Sequence, residues 1–66
     1  MSVLKVIEIL SNSETSWEDA TKKGVRKAAK SLKNIKSAYV NEMSTVVKDN
    51  EVTEFRVNLK VTFEID

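Results

Sequence analysis

Residues 54–66 read EFRVNLKVTFEID, and this stretch limits the possible folds more than any other. Phe55, Val57, Leu59, Val61, Phe63 and Ile65 alternate with Glu54, Arg56, Asn58, Lys60, Thr62 and Glu64. Successive side chains of a strand point to opposite faces, so the pattern predicts a long strand over about 52–65 with one apolar face. That face needs cover, and the strand needs neighbours to take its backbone hydrogen bonds.

Residues 35–47, IKSAYVNEMSTVV, supply one neighbour. They are rich in Ile, Val, Thr and Tyr but alternate less cleanly. The polar KDNE of 48–51 separates the two segments, and Asp49-Asn50 tolerates the turn conformations of a hairpin. A third strand is predicted over about 2–10. It carries Leu4, Val6 and Leu10 on one face and Val3, Ile7 and Ile9 on the other, so it calls for cover on both sides.

Between them, SNSETS is a polar loop ending in helix-start chemistry. Thr15 or Ser16 can cap the helix, with Glu18 or Asp19 completing a capping box. From Trp17 to about Leu32 the period is helical. Trp17, Ala20, Gly24, Val25, Ala28, Ala29 and Leu32 fill one half of the wheel, while Lys22, Lys23, Arg26, Lys27, Lys30 and Lys33 fill the other. Asn34 is a suitable left-handed stop.

The expected fold is α+β, in the order β-α-β-β. A right-handed crossover makes the first two strands parallel, and the last fits antiparallel between them. The result is a three-stranded antiparallel sheet of order 1-3-2 with one helix packed on one face, a single domain over 1–66.

Such a chain is marginal by itself. Ordering 66 residues costs roughly 1.5 kcal/mol each, about 100 kcal/mol in all, and burial at this size barely offsets it. The chain has no Cys and no His, which excludes disulfides, Cys/His zinc sites and histidine catalysis. A metal would have to be a hard cation held by oxygen, Ca2+ or Mg2+. Self-association is the remaining common means of stabilisation. No apolar run reaches the roughly 18 residues needed to span a bilayer. The opening MSVLKVIEIL lacks a signal-peptide cleavage pattern, so we expect a soluble cytoplasmic protein that engages no membrane.

Net charge is only +1, but seven of the eleven Lys/Arg lie within 22–36. Such a cluster can grip phosphates. A solvated amphipathic helix has the same pattern, and Glu18–Lys22 and Asp19–Lys23 make favourable i,i+4 pairs. No aromatic residue interleaves the lysines to stack bases, which argues against nucleic acid. The carboxylates Glu42, Asp49, Glu51, Glu54, Glu64 and Asp66 follow no motif spacing and read as surface charge that could contribute to an ion site at a subunit interface. Trp17 reads as core. Gly24, the sole glycine, sits mid-helix and suits close helix–sheet packing.

The β-α-β-β order, the opening LKVIEIL, the helix start TSWEDA, the second strand NIKSAYV and the close VNLKVTFEID together resemble the dodecins over essentially the whole chain. TSWEDA is similar to the branch described as calcium dodecins. The resemblance implies a protein that is not an enzyme, assembled as a hollow homododecameric shell of cubic symmetry. Assembly would cover the face of the first strand that the helix leaves bare. Many members bind flavins, riboflavin or FMN, in pairs for storage or sequestration.

The resemblance also implies where a flavin would sit. Flavin-binding dodecins carry a Trp early in the second strand that stacks on the isoalloxazine ring, and a Gln in the third strand that bonds the flavin edge. The corresponding positions here are Ser37 and Arg56, and MSTVV stands where the family often has a glycine. A serine cannot replace a stack worth about 1–3 kcal/mol. Arg56 offers donors only, where an amide offers both donor and acceptor. The expectation is a small-ligand storage shell with flavin binding weak or lost and ions or another small ligand held instead. One alternative is a flavin store using Tyr39 or Arg56. Another is an interaction module binding acidic partners through its basic helix.

Overall fold

The computed structural model describes residues 2–65. Its elements follow the expected order: β1 (Val3–Ser13), α1 (Trp17–Ala28), β2 (Ile35–Lys48) and β3 (Glu51–Ile65). β3 lies in the middle and pairs antiparallel with both neighbours, giving the order β1-β3-β2. The β2–β3 turn is Asp49-Asn50, with φ of 52° and 65°. Two consecutive left-handed residues make a turn whose twist matches the flanking strands.

Two boundaries and one cap differ from the sequence reading. β1 continues through Ser11, Asn12 and Ser13, which pair with Val57, Arg56 and Phe55. Their polarity suggested a loop, but β3 is long enough to extend the ladder. α1 ends at Ala28 instead of near Leu32. Its exit tightens into i→i−3 bonds, Lys30 N–H to the Lys27 carbonyl and Ser31 N–H to the Ala28 carbonyl, before Asn34 turns the chain at φ 61°. The capping box is also incomplete. Ser16 caps, accepting from the Asp19 N–H at 3.0 Å, but the Asp19 carboxylate reaches the Ser13 hydroxyl at 2.6 Å. Ser13 in turn accepts from the N–H groups of Thr15 and Ser16. This almost fully buried hydroxyl relays what a direct bond would have supplied.

The core lies between α1 and one face of the sheet. Ala20, Val57, Leu59 and Val61 are fully buried, with Ile7, Ile9, Trp17, Leu32, Ile35, Ala38 and Val40 packed against them. Gly24 is what brings the helix this close. A Cβ there would lie 2.8 Å from Leu59 Cδ1 and 3.1 Å from Ser11 Cβ, so a larger residue would force the Leu59 side chain, Ser11 or the helix itself to shift. Trp17 is structural, meeting Phe55 edge-on at 5.1 Å and donating from Nε1 to the Ser44 carbonyl at 2.9 Å.

Twelve helical residues span about 18 Å and fifteen strand residues about 50 Å, so α1 cannot cover β3. The molecule measures 50 × 19 × 14 Å. The β2–β3 hairpin extends past the helix as an arm carrying exposed Val47 and Val52.

Candidate ligand-binding face

Among the described residues, nothing covers the face of the sheet opposite α1. The strand pairings place Leu4, Val6, Glu8, Leu10 and Asn12 of β1 on it, with Glu54, Arg56, Asn58, Lys60 and Thr62 of β3. β2 contributes Ser37, Tyr39, Glu42 and Ser44. Two bulges, at Lys36 and Asn41, shift the parity of β2. They explain why its alternation is hard to read in sequence. They also keep Ser37, Tyr39 and Glu42 on one face although their spacing breaks the period of two.

This face is apolar at its β1 edge and polar along the middle. Val6 is 53% exposed, and Leu10 and Tyr39 are each 65% exposed. Between them runs a chain of side-chain bonds. Asn58 Nδ2 donates to Glu8 Oε2 at 2.7 Å. Arg56 Nε donates to Asn12 Oδ1 at 2.9 Å, and Asn12 Nδ2 donates to Glu54 Oε1 at 3.2 Å. None of these pairs was foreseen from the sequence. Each joins residues more than forty positions apart, and only the register of β1 on β3 brings them together.

Both expected pocket residues lie on this face but do not meet within one chain. Ser37 pairs with Thr62, and Arg56 pairs with Ser44. Six positions of β3 separate Thr62 from Arg56, about 20 Å at strand rise. Ser37 is exposed beside exposed Tyr39, while Arg56 is half-buried and held by Asn12.

Asn58 Oδ1 is a buried oxygen with no hydrogen-bond partner among the described residues. The Glu8 carboxylate is bound to the nitrogen of the same amide, and Glu42 is directly across the β2–β3 ladder. Residues opposite each other in a ladder have Cβ atoms about 5 Å apart. Glu8, Asn58 and Glu42 thus gather hard oxygen donors, the chemistry a calcium or magnesium ion requires. Lys60, opposite Glu8, offsets one negative charge. No group of three or more Asp or Glu converges among the described residues, so one chain supplies too few ligands for the six to eight of calcium. Of the carboxylates marked in the sequence, Glu64 pairs with Lys36 at 3.8 Å, Glu54 belongs to the Asn12 chain, and Asp66 lies outside the described residues. No described helix is long and apolar enough to cross a membrane.

Comparison with known proteins agrees with this geometry. A family model described as Dodecin matches residues 3–66. The calcium dodecin of Mycobacterium tuberculosis is 38% identical over 65 residues, covering 98% of this chain and 92% of the relative. A crystal structure of calcium dodecin from that organism, described as having a novel calcium-binding site, superposes with a TM-score of 0.87 at 37% identity, covering 98% and 93% of the two chains. The dodecin of Streptomyces davaonensis gives a TM-score of 0.93 at 25% identity, covering 98% and 96%.

Proposed function

Because the chain belongs to the dodecin family, we propose that it is a non-catalytic, cytoplasmic storage protein, a single domain that self-assembles into a hollow twelve-subunit shell. It holds ions or another small ligand on the uncovered sheet face and binds flavin weakly or not at all.

The observation that carries this reading is the uncovered face itself. Leu4, Val6 and Leu10 of β1 and Tyr39 of β2 are solvated in the isolated chain, while Ile7 and Ile9 on the other face of β1 pack against the core. Exposed apolar surface of this kind marks an interaction site. Another copy is the occupant that gives a 66-residue chain without disulfides the burial it lacks. Ser37 stands on the same face with no aromatic plane to offer, and Arg56, the other flavin-pocket position, is engaged by Asn12. Calcium is the favoured ion. It is named for the relative, and the unpartnered Asn58 oxygen between Glu8 and Glu42 is a donor set of the right kind. The missing ligands would come from water or from a second copy. A bound cation would supply only charge, satisfying the Asn58 oxygen and drawing the two glutamates together.

Tyr39 supports a second reading. It is an exposed aromatic next to Ser37, and a flavin could stack on it instead of on an indole.

The test is native mass by light scattering, read beside the absorbance spectrum and a calcium titration of metal-free protein. A particle near twelve subunits, colourless and stabilised by calcium, is the expected result. A 7.5 kDa particle at micromolar concentration would overturn the assembly. Flavin absorbance bands in the purified protein would favour the second reading.

A further inference from the structure

The charges of this chain nearly cancel, yet they are segregated. Between residues 20 and 41 there is no Asp or Glu, while seven of the eleven Lys/Arg fall within 22–36. Along α1 the first cations are neutralised in place: Lys22 meets Glu18 and Lys23 meets Asp19, both at 3.1 Å. Lys36, on β2, meets Glu64 at 3.8 Å. Arg26, Lys27, Lys30 and Lys33 have no carboxylate within salt-bridge distance among the described residues, and all four are exposed. The uncompensated surface is therefore the exit of α1 and the turn behind it, not the whole helix.

The relief of that surface limits what it can hold. Among the described residues, none of the large apolar side chains that stand exposed lies between 11 and 38. Ala29 and Ser31 are the exposed residues between the cations, so the charged heads are its highest points. A folded protein partner calls for an apolar anchor seated in a pocket, and a single strand of nucleic acid for a stacking plane. The helix exit offers neither. It attracts by charge density alone. α1 also packs on the side of the sheet away from the bare face that meets another copy, so that contact does not cover it.

We propose that the exit of α1 adsorbs the protein to an anionic lipid surface, with Arg26, Lys27, Lys30 and Lys33 lying over the headgroups and nothing inserted. Each Lys or Arg near an anionic leaflet adds a small attraction, and four together make a weak contact. A particle that presents several such faces to one plane strengthens it by about a hundredfold or more. That gain rests on the assembly reading; the face itself does not. No described helix is long and apolar enough to cross a bilayer, and the contact needs none because it lies on the membrane. Surface adsorption requires neither an apolar span nor a leader, the two features whose absence led us to expect no membrane contact.

Cosedimentation of the native protein with vesicles tests this. Vesicles of equal parts phosphatidylcholine and phosphatidylglycerol should pellet the protein at low salt, and vesicles of phosphatidylcholine alone should not. Binding should vanish near about 1 M salt, where charges are screened beyond about 3 Å. Arg26→Gln/Lys30→Gln should weaken it about tenfold or more. Lys5→Gln/Lys48→Gln removes the same charge from β1 and β2 and should leave it unchanged. The proposal fails if pelleting does not depend on the anionic lipid, if it survives high salt, or if the control pair weakens it equally. Tighter binding to a duplex oligonucleotide than to vesicles at equal phosphate would overturn the lipid assignment in favour of nucleic acid. Light scattering on every variant separates the two readings. A single-chain mass would end the assembly reading, and the face would then stand or fall on whether Arg26→Gln/Lys30→Gln weakens the remaining binding more than the control pair does.

Discussion

The two faces of this sheet are built from the same three strands and end in opposite states. Toward α1, Val57, Leu59 and Val61 are fully buried, and Gly24 lets the helix close on them. Away from α1, Val6, Leu10 and Tyr39 are solvated, and polar side-chain bonds run along the middle of the face, one of them made by an amide whose oxygen is unpartnered among the described residues. One face is completed by the chain itself. The other is shaped for something the chain lacks. In a protein this small, a strand apolar on both faces is an instruction to associate, because one helix of twelve residues can cover one face only.

Substitutions on the two faces should separate these roles, and the largest effect belongs to the covered one. Leu59→Ala removes a fully buried side chain from under the helix and should lower stability by about 2–5 kcal/mol. Val6→Asp deletes no buried contact of the monomer, yet it places a charge on the face that meets another copy. It should lower the native mass at micromolar concentration. Thermal melts and light scattering on both variants decide the matter. If Val6→Asp left the particle mass intact, the uncovered face would not be the assembly surface.

Much of this division was legible in the sequence, because it rests on local periods. The alternation of Phe55 to Ile65 fixed the long central strand, and the wheel of α1 placed Ala20 and Gly24 inward and the lysines outward. Asp49-Asn50 and Asn34 were recognisable as residues that accept positive φ, and all three adopt it. What stayed hidden depends on register. The bulges at Lys36 and Asn41 leave no local mark, so the inward and outward residues of β2 could not be sorted. The Glu8–Asn58 pair spans fifty positions, and nothing in either neighbourhood announces the other. Ser13 looked like loop polarity, although its contacts with Asp19, Thr15 and Ser16 tie the end of β1 to the start of α1.

The next effect concerns the uncovered face alone. Ser37→Trp should raise riboflavin affinity by about tenfold to a hundredfold, the worth of one aromatic stack. Stability of the covered face should not change, since Ser37 is exposed. The gain should be partial, because Arg56 still supplies no acceptor to the ring edge and already donates to Asn12. Adding Arg56→Gln should therefore improve binding over either single change. Quenching of riboflavin fluorescence on titration measures all four proteins. Tight binding by the unaltered chain would show that Tyr39, or another surface, already serves as the platform.

The smallest effect sharpens the covered face at its edge. Ser16→Ala removes the acceptor for the Asp19 N–H and should cost about 1 kcal/mol, the ordinary value of a helix cap. Acid should act at the same place through the Asp19 carboxyl. The Ser13 hydroxyl first, and Lys23 second, hold its pKa below the ordinary aspartate value. A depressed carboxylate contributes stability at pH above its unfolded value and loses it as pH falls through the lower, folded one. Melts of the native protein should therefore decline as pH falls below about 5, where an unperturbed aspartate begins to protonate. Ser13→Ala should flatten that decline, because the stronger of the two stabilising contacts is gone. Neither change touches the uncovered face, so native mass at neutral pH should stay that of the parent. A fall in mass with Ser16→Ala would mean that the helix entry, and not the bare sheet, meets the neighbouring copy.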